Sequence, residues 1–90
     1  MEITEVRIIL HQERKLKGFA NVTFDDMFVI RGIKIIEGSK GFFISMPSRK
    51  RPDGTYHDVA HPVNNDARRL LESTILAAYE EELKSHSEVY

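Results

Sequence analysis

Five basic residues in the second half of the chain are the side chains best suited to chemistry. Arg49, Lys50 and Arg51 are consecutive and precede a Pro-Asp-Gly turn, and Arg68 and Arg69 fall in the first two turns of a predicted helix. The planar guanidinium group of arginine donates paired hydrogen bonds to phosphate, and the free N–H groups at a helix start attract the same anion. These five residues are the candidate nucleic-acid-binding site.

The same residues have a simpler interpretation, which the sequence pattern alone favours. Three consecutive basic residues are a weak motif and commonly form a solvated charge cluster without a ligand. Lys40, in a preceding loop, would extend the basic patch only if that loop lies nearby. Both interpretations therefore stay open at the level of residue type and spacing.

Two other motifs are weaker. Gly38-Ser39-Lys40-Gly41 has the glycine-x-x-glycine form of the loop that clamps nucleotide backbones in KH domains, but here it joins two predicted strands rather than two helices. A hairpin turn explains it better. His57, Asp58 and His61 suggest a metal or acid–base site, yet His57 and Asp58 point to opposite faces of a strand and His61 adjoins Pro62, where a local backbone bond is expected. We predict no metal site.

Nothing in the sequence forms a recognisable catalytic group. The chain has no cysteine, which excludes thiol catalysis and a disulfide framework, and no serine lies in a nucleophile-elbow pattern. We therefore predict a protein that is not an enzyme and that needs no cofactor.

Composition is that of an ordinary globular domain, whereas charge is unevenly distributed. The 90 residues are 41% hydrophobic and 30% charged, with a formal net charge of −1. Residues 1–38 sum to zero, residues 39–70 to +3 and residues 71–90 to −4. Because phosphate contacts are local, the near-zero total does not exclude nucleic-acid binding. No apolar run is longer than five residues and no signal peptide is evident, so we expect a cytoplasmic protein without membrane insertion.

Hydrophobic periodicity predicts an α+β fold, an antiparallel four- to five-stranded meander sheet followed by one C-terminal amphipathic helix. Alternating residues predict the strands, and residues three and four apart, from Ala67 to Tyr79, predict a helix ending near Leu83. Pro62 and the Asn64-Asn65 pair mark its start. The predicted strands are residues 3–10, 16–24, 28–36 and 42–46. A short fifth edge strand is predicted within residues 55–60, after a loop that holds Arg49, Lys50 and Arg51.

The C-terminal residues are predicted to be loose. Glu80, Glu81 and Glu82 place negative charge at the C-terminal end of the helix, which the helix dipole disfavours. We expect one domain over residues 1–84 and a flexible acidic tail over residues 85–90.

The sheet is expected to be wider than the helix. Five strands at about 4.8 Å spacing span roughly 24 Å, whereas a helix with its side chains is about 10–12 Å wide. Strict alternation in the third strand puts apolar residues on both faces, Val29, Ile33 and Ile35 on one and Phe28, Ile30 and Ile36 on the other. Leftover apolar area commonly marks a partner interface, so we predict a homodimer; coverage by loops in a monomer is the alternative.

The middle of the chain resembles the SpoVG family, also called septation protein SpoVG or stage V sporulation protein G. The resemblance is carried by the Met46-Pro47-Ser48 step into basic residues, the Asp53-Gly54 turn and the His61-Pro62 entry to a helix. It begins at Met1 and covers nearly the whole chain to about Tyr79. These features are specific in combination, although each is weak alone.

The resemblance implies a dimeric bacterial cytoplasmic protein with a role in septation and sporulation. It also implies a site-preferring DNA-binding or RNA-binding regulator whose binding surface is formed by Arg49, Lys50, Arg51, Arg68 and Arg69. Asn64 and Asn65 could reach base edges. The alternative is a protein-interaction factor that docks an acidic, division-related partner without binding nucleic acid.

Overall fold

The computed structural model describes residues 1–88, which form six strands and one helix. The elements, in chain order, are β1 (Ile3–Leu10), β2 (Leu16–Phe24), β3 (Phe28–Gly38), β4 (Gly41–Ser45), β5 (Ser48–Lys50), β6 (Tyr56–Asp58) and α1 (Asn65–Glu88). The first four strands form one antiparallel sheet in the order β1-β2-β3-β4, so each strand pairs with its neighbour in sequence. The predicted α+β class and the meander are confirmed.

The remaining two strands form a separate hairpin rather than a fifth strand of the meander. β5 pairs only with β6, and the cations Arg49 and Lys50 lie in β5 instead of in a loop. Pro47 separates β4 from β5, and since proline has no N–H it cannot continue the sheet's hydrogen-bond ladder. The prediction of a fifth strand at the sheet edge is therefore wrong, although Tyr56–Asp58 falls within the predicted range.

A bulge in β3 changes which of its residues face the helix. Ile30 pairs with Val22 and Ile33 pairs with Ala20, so two residues of β3 oppose the single Asn21 of β2. Gly32 adopts a φ of 78°, and its N–H donates a 3.0 Å hydrogen bond to Asn21 Oδ1. The bulge shifts the alternation by one residue. Ile30, which was predicted to lie opposite Ile33, shares the helix-facing side with it and packs against the core.

One face of the sheet is covered by α1. Leu71, Ile75 and Tyr79 recur every four residues and are buried, as their helical spacing predicts. They complete a single core with side chains from β2, β3 and β4. The buried sheet residues are Ala20, Val22, Phe24, Ile33, Ile35 and Ile44, joined by Met46.

The start of α1 agrees with the prediction from the sequence, whereas its end does not. Asn64 Oδ1 accepts a 2.8 Å hydrogen bond from the N–H of Ala67, three residues on, so the predicted asparagine cap is confirmed. The helix continues to Glu88, whereas it was predicted to end near Leu83 with a loose tail from residue 85. The unfavourable dipole term is only about 0.3–1 kcal/mol, too little to end a helix of good helix formers. Residues 89 and 90 of the predicted tail lie outside the described residues.

Candidate nucleic-acid interface

The β5–β6 hairpin positions the three consecutive cations. Arg49 pairs with His57, and Lys50 pairs with Tyr56. Directly opposite residues of an antiparallel pair share a face, and successive residues alternate between faces. The hairpin therefore has an Arg49/His57 face and a Lys50/Tyr56 face.

The turn of the hairpin is built from local bonds. The N–H of Gly54 donates to the carbonyl of Arg51 at 2.9 Å, and the N–H of Arg51 donates to the carbonyl of Thr55 at 2.7 Å. Proline at the second turn position and Gly54 at a φ of 90° suit this geometry. Asp53 Oδ1 accepts from the N–H of Thr55 at 3.0 Å and from its hydroxyl at 2.7 Å.

The two hydrogen bonds from Thr55 also stabilise the negative charge of Asp53 at the tip of the hairpin. The Thr55 hydroxyl, followed by the Thr55 N–H, stabilises the carboxylate and holds the pKa of Asp53 below its usual range. Asp53 is thus an acceptor for the turn itself. It contributes one negative charge at the tip rather than between the cations.

The hairpin is presented to solvent throughout. Every residue from Ser48 to Val59 is exposed, and the base is joined by a 2.8 Å bond from the N–H of Val59 to the carbonyl of Pro47. None of the ion pairs formed within residues 1–88 includes Arg49, Lys50 or Arg51. These three cations are thus available to an external anion without first breaking an internal ion pair.

Each face of the hairpin has a carboxylate nearby, but the arginines lie on one face only. Asp58 pairs with Ser48, which places it on the Lys50/Tyr56 face. Asp53 lies beside the other face, because the Thr55 hydroxyl is 2.7 Å from Asp53 Oδ1 and 3.3 Å from His57 Nε2. Alternation places Arg51 on the Arg49/His57 face, so that face, with two arginines, is the better surface for a phosphodiester backbone.

Arg68 of the helix has a structural task. Its Nη2 donates a 2.7 Å hydrogen bond to the carbonyl of Ile44, and Glu72 Oε2 accepts from the N–H of Ile44 at 3.1 Å. The two helix side chains are themselves 3.9 Å apart. Since β4 is an edge strand of the meander, they satisfy backbone groups that no further strand pairs with.

Arg69 makes a weaker internal contact than Arg68. Its Nη2 lies 2.7 Å from Asp66 Oδ1, one helical turn earlier, and both side chains are mostly exposed. A pair of this kind contributes about 0–1 kcal/mol, so a phosphate could replace the carboxylate at small cost. The polar contacts of the two helix arginines are thus to Ile44 of β4 and to Asp66 and Glu72 of α1.

The other sequence candidates have local roles. Gly38 pairs with Gly41 at the β3–β4 connection, so the predicted hairpin turn is confirmed. Lys40 in that turn is separated from β5 by the length of β4, about 17 Å for five extended residues. His61 Nδ1 lies 2.9 Å from the carbonyl of Pro62, the local backbone bond that was predicted. Residues 1–88 contain no group of three or more histidine, aspartate or glutamate side chains placed to hold a metal.

Tyr56 is the residue of this surface that sequence reasoning missed. It is 67% exposed and lies opposite Lys50. The signal was available, because an Asp-Gly turn with basic residues before it and Thr-Tyr-His after it predicts cross-strand pairs of mixed cation and aromatic type. It was overlooked because the basic run was assigned to a loop.

The face of the meander opposite α1 retains apolar area. Ile9 is 53% exposed and Phe43 is 41% exposed, and Val29 lies on the same face. Glu5, Arg7 and Lys34 share this face and make its surroundings polar. The prediction that one helix leaves apolar sheet area uncovered is confirmed. Within residues 1–88, no helix is long and apolar enough to cross a membrane.

Together, the fold and the surface define a small α+β domain in which a four-stranded meander and one helix carry an exposed basic β-hairpin. Comparison with known families identifies the family of this domain from its sequence. The SpoVG family model matches residues 1–81, a span that includes the meander, the hairpin and most of α1. The chain belongs to the SpoVG family.

Several relatives share most of their length with this chain. A protein of Anaeromyxobacter sp. (strain K) is 54% identical over 84 residues, which cover 93% of this chain and 83% of the relative. One from Clostridium beijerinckii is 54% identical over 81 residues, 89% of each chain, and one from Bdellovibrio bacteriovorus is 46% identical over 88 residues, 98% of this chain and 82% of the relative. All three are named "Putative septation protein SpoVG".

Proposed function

We propose that this protein is a nucleic-acid-binding regulator with a role in septation and sporulation-type gene control. The observation that carries the binding part is the exposed hairpin whose Arg49, Lys50 and Arg51 form no ion pair within residues 1–88. Guanidinium and ammonium groups held on a regular strand are ready phosphate ligands, and phosphate contacts provide most of the affinity in non-specific binding. The role in septation is supported by family membership and by the names of the relatives.

The five candidate cations differ in how readily they can bind phosphate. Arg49, Lys50 and Arg51 are primary phosphate ligands, because using them breaks no ion pair of the described residues, 1–88. Arg69 is secondary, since it must first leave Asp66. Arg68 supports the edge of β4 and contributes to binding only through the stability of the fold.

The test is a salt titration of wild type and of the Arg49/Lys50/Arg51→Ala variant with labelled DNA and RNA. A dimer making about five to ten phosphate contacts should show a slope of roughly −4 to −9 for log affinity against log salt, and removing one phosphate ligand should reduce the steepness of that slope by about 0.9. The variant is expected to flatten the slope strongly. An unchanged slope would refute the hairpin as the phosphate site.

A charge-matched variant separates local contacts from overall charge. Arg14, Lys15 and Lys40 are exposed cations outside the hairpin, and changing them to alanine removes the same total charge. This control should retain most of the slope of the wild type. If its slope flattens as much as that of the hairpin variant, the attraction is a property of the whole molecule.

We also propose that the protein acts as a homodimer through the sheet face opposite α1. The exposed apolar side chains Ile9, Val29 and Phe43 support a second copy as the occupant of that face. Light scattering should give twice the chain mass for wild type and one chain mass for Phe43→Lys. A monomeric wild type at working concentration would contradict this.

An interaction factor that binds a division-related protein is the second candidate, because the relatives' names point to septation and not to nucleic acid. Wild-type protein that binds neither DNA nor RNA at low salt would favour it. A partner captured equally well after nuclease treatment, and no longer captured by the hairpin variant, would place the protein contact on the same cations.

A further inference from the structure

Tyr56 is an exposed aromatic ring outside the core. It is 67% exposed, whereas Tyr79 is buried in the core, where burial raises its pKa and its ring makes an edge contact with Phe42 at 5.6 Å between centroids. The aromatic ring pairs formed within residues 1–88 do not include Tyr56. Within residues 1–88, Tyr56 is therefore outside both the core and the aromatic pairs.

The neighbours of Tyr56 are those of a nucleotide site. Lys50 lies directly opposite on the same face, where cross-strand Cβ atoms are about 4.5–5.5 Å apart. Arg49 and Arg51 flank Lys50 in sequence, Arg49 within β5 and Arg51 at the start of the turn, where its N–H bonds to the carbonyl of Thr55. The hairpin thus combines an exposed ring with cations beside and around it.

We propose that the Lys50/Tyr56 face binds single-stranded nucleic acid, with an unpaired base stacked on the ring of Tyr56 and an adjoining phosphate held by Lys50. This rests on the proposed nucleic-acid binding and adds its substrate class. A ring and cations in one exposed patch are the combination that single-strand sites use, because every base offers a π-face once it is unstacked. In a duplex the base faces are covered by their neighbours, so Tyr56 gains nothing there.

The two faces of the hairpin then contact different parts of the nucleic acid. Arg49 and Arg51, on the His57 side of the hairpin, contact phosphates of any nucleic acid, duplex included. The Lys50/Tyr56 face discriminates between paired and unpaired bases. Asp58, on that second face, disfavours a phosphate directly against its own end of the strand and directs the backbone toward the turn.

The test compares Tyr56→Ala with Tyr56→Phe on a labelled 20-nucleotide single strand and on the duplex of the same sequence. We expect Tyr56→Ala to lose about tenfold in single-strand affinity, with little change for duplex and an unchanged salt slope, since stacking involves no counterion. Tyr56→Phe keeps the ring and should bind as wild type. An equal loss on both ligands, or no loss on either, would overturn the stacking proposal.

A spectroscopic probe gives an independent readout. The protein has no tryptophan, so Tyr56→Trp introduces a single reporter at the proposed stacking position. Its fluorescence should be quenched by the single strand but not by the duplex or by inorganic polyphosphate, which offers phosphates without bases. Quenching by polyphosphate to the same extent would show that no base contacts the ring.

The same experiments separate failure of this inference from failure of the proposed function. Salt-dependent binding of duplex and polyphosphate with no effect of Tyr56→Ala would refute stacking and leave the phosphate site intact. Absence of binding to all three ligands would refute both. The amide resonances of Arg51 and Thr55 check that each variant retains the hairpin.

Discussion

The arginines of the hairpin and those of the helix have the same chemistry and different surroundings. Arg49 and Arg51 form no side-chain ion pair within residues 1–88, whereas Arg68 bonds to Ile44 and Arg69 pairs with Asp66. All four were equal candidates by residue type. The difference arises because α1 lies against the edge of β4, while the hairpin extends beyond the meander with no buried residue.

This contrast shows how the molecule separates stability from binding. The core is confined to the meander and α1, and the hairpin contributes no side chain to it. Its cations can therefore be changed with little effect on folding. The meander and α1, together called the body, can be destabilised without altering the proposed ligand contacts. Substitutions in each region can test that separation.

The largest expected effect is on the body. Ile75 is fully buried between α1 and the sheet, and Ile75→Ala should lower the free energy of unfolding by about 2–5 kcal/mol through reduced burial of apolar surface and a cavity. Urea denaturation measures the change. Under conditions where the variant is folded, its salt slope for nucleic acid should equal that of wild type; a changed slope would mean that the body and the hairpin are coupled.

The two kinds of arginine should respond oppositely to the same substitution. Arg68→Ala leaves the carbonyl of Ile44 without its donor and should cost about 1–3 kcal/mol of stability. Arg49→Ala, an exposed change, should alter stability by no more than about 0.5 kcal/mol and should reduce nucleic-acid affinity instead. Denaturation and binding measured on both proteins complete the comparison. Equal destabilisation would show that the hairpin is part of the cooperative unit.

The sequence could predict the elements better than the contacts between them. Period-two alternation located β1 to β4, and the apolar stripe with Asn64 before it located α1, because these signals are local. The bond from Arg68 to Ile44 joins residues 24 apart in sequence, and no local pattern indicates it. β5 was missed because a three-residue strand with no buried residue has no hydrophobic periodicity to detect.

The bulge in β3 was missed for a different reason. Strict alternation was assumed through Gly32, although a glycine within a strand is a recognised sign of a bulge. Gly32→Ala tests it. There is open space for the added methyl group, so the cost should come from the backbone at a φ of 78°, about 1–2 kcal/mol. Asn21→Ala, which removes the acceptor for the N–H of Gly32, should cost about 1 kcal/mol at the same bulge. Additive costs would show that the two residues act independently.

The smallest expected effect on overall stability, and the sharpest test of the hairpin's independence, is at Asp53. Its pKa is lowered in the folded protein because the carboxylate accepts two bonds from Thr55. A lowered pKa stabilises the turn at pH values above the usual aspartate value of 3.8, and this stabilisation is lost as the pH falls through the folded-state pKa. Amide exchange at Arg51 and Thr55, corrected for intrinsic rates, should accelerate over that range. Core amides of β2 should not follow, and Asp53→Asn should remove the pH dependence, whereas parallel acceleration in β2 would show that hairpin and body open together.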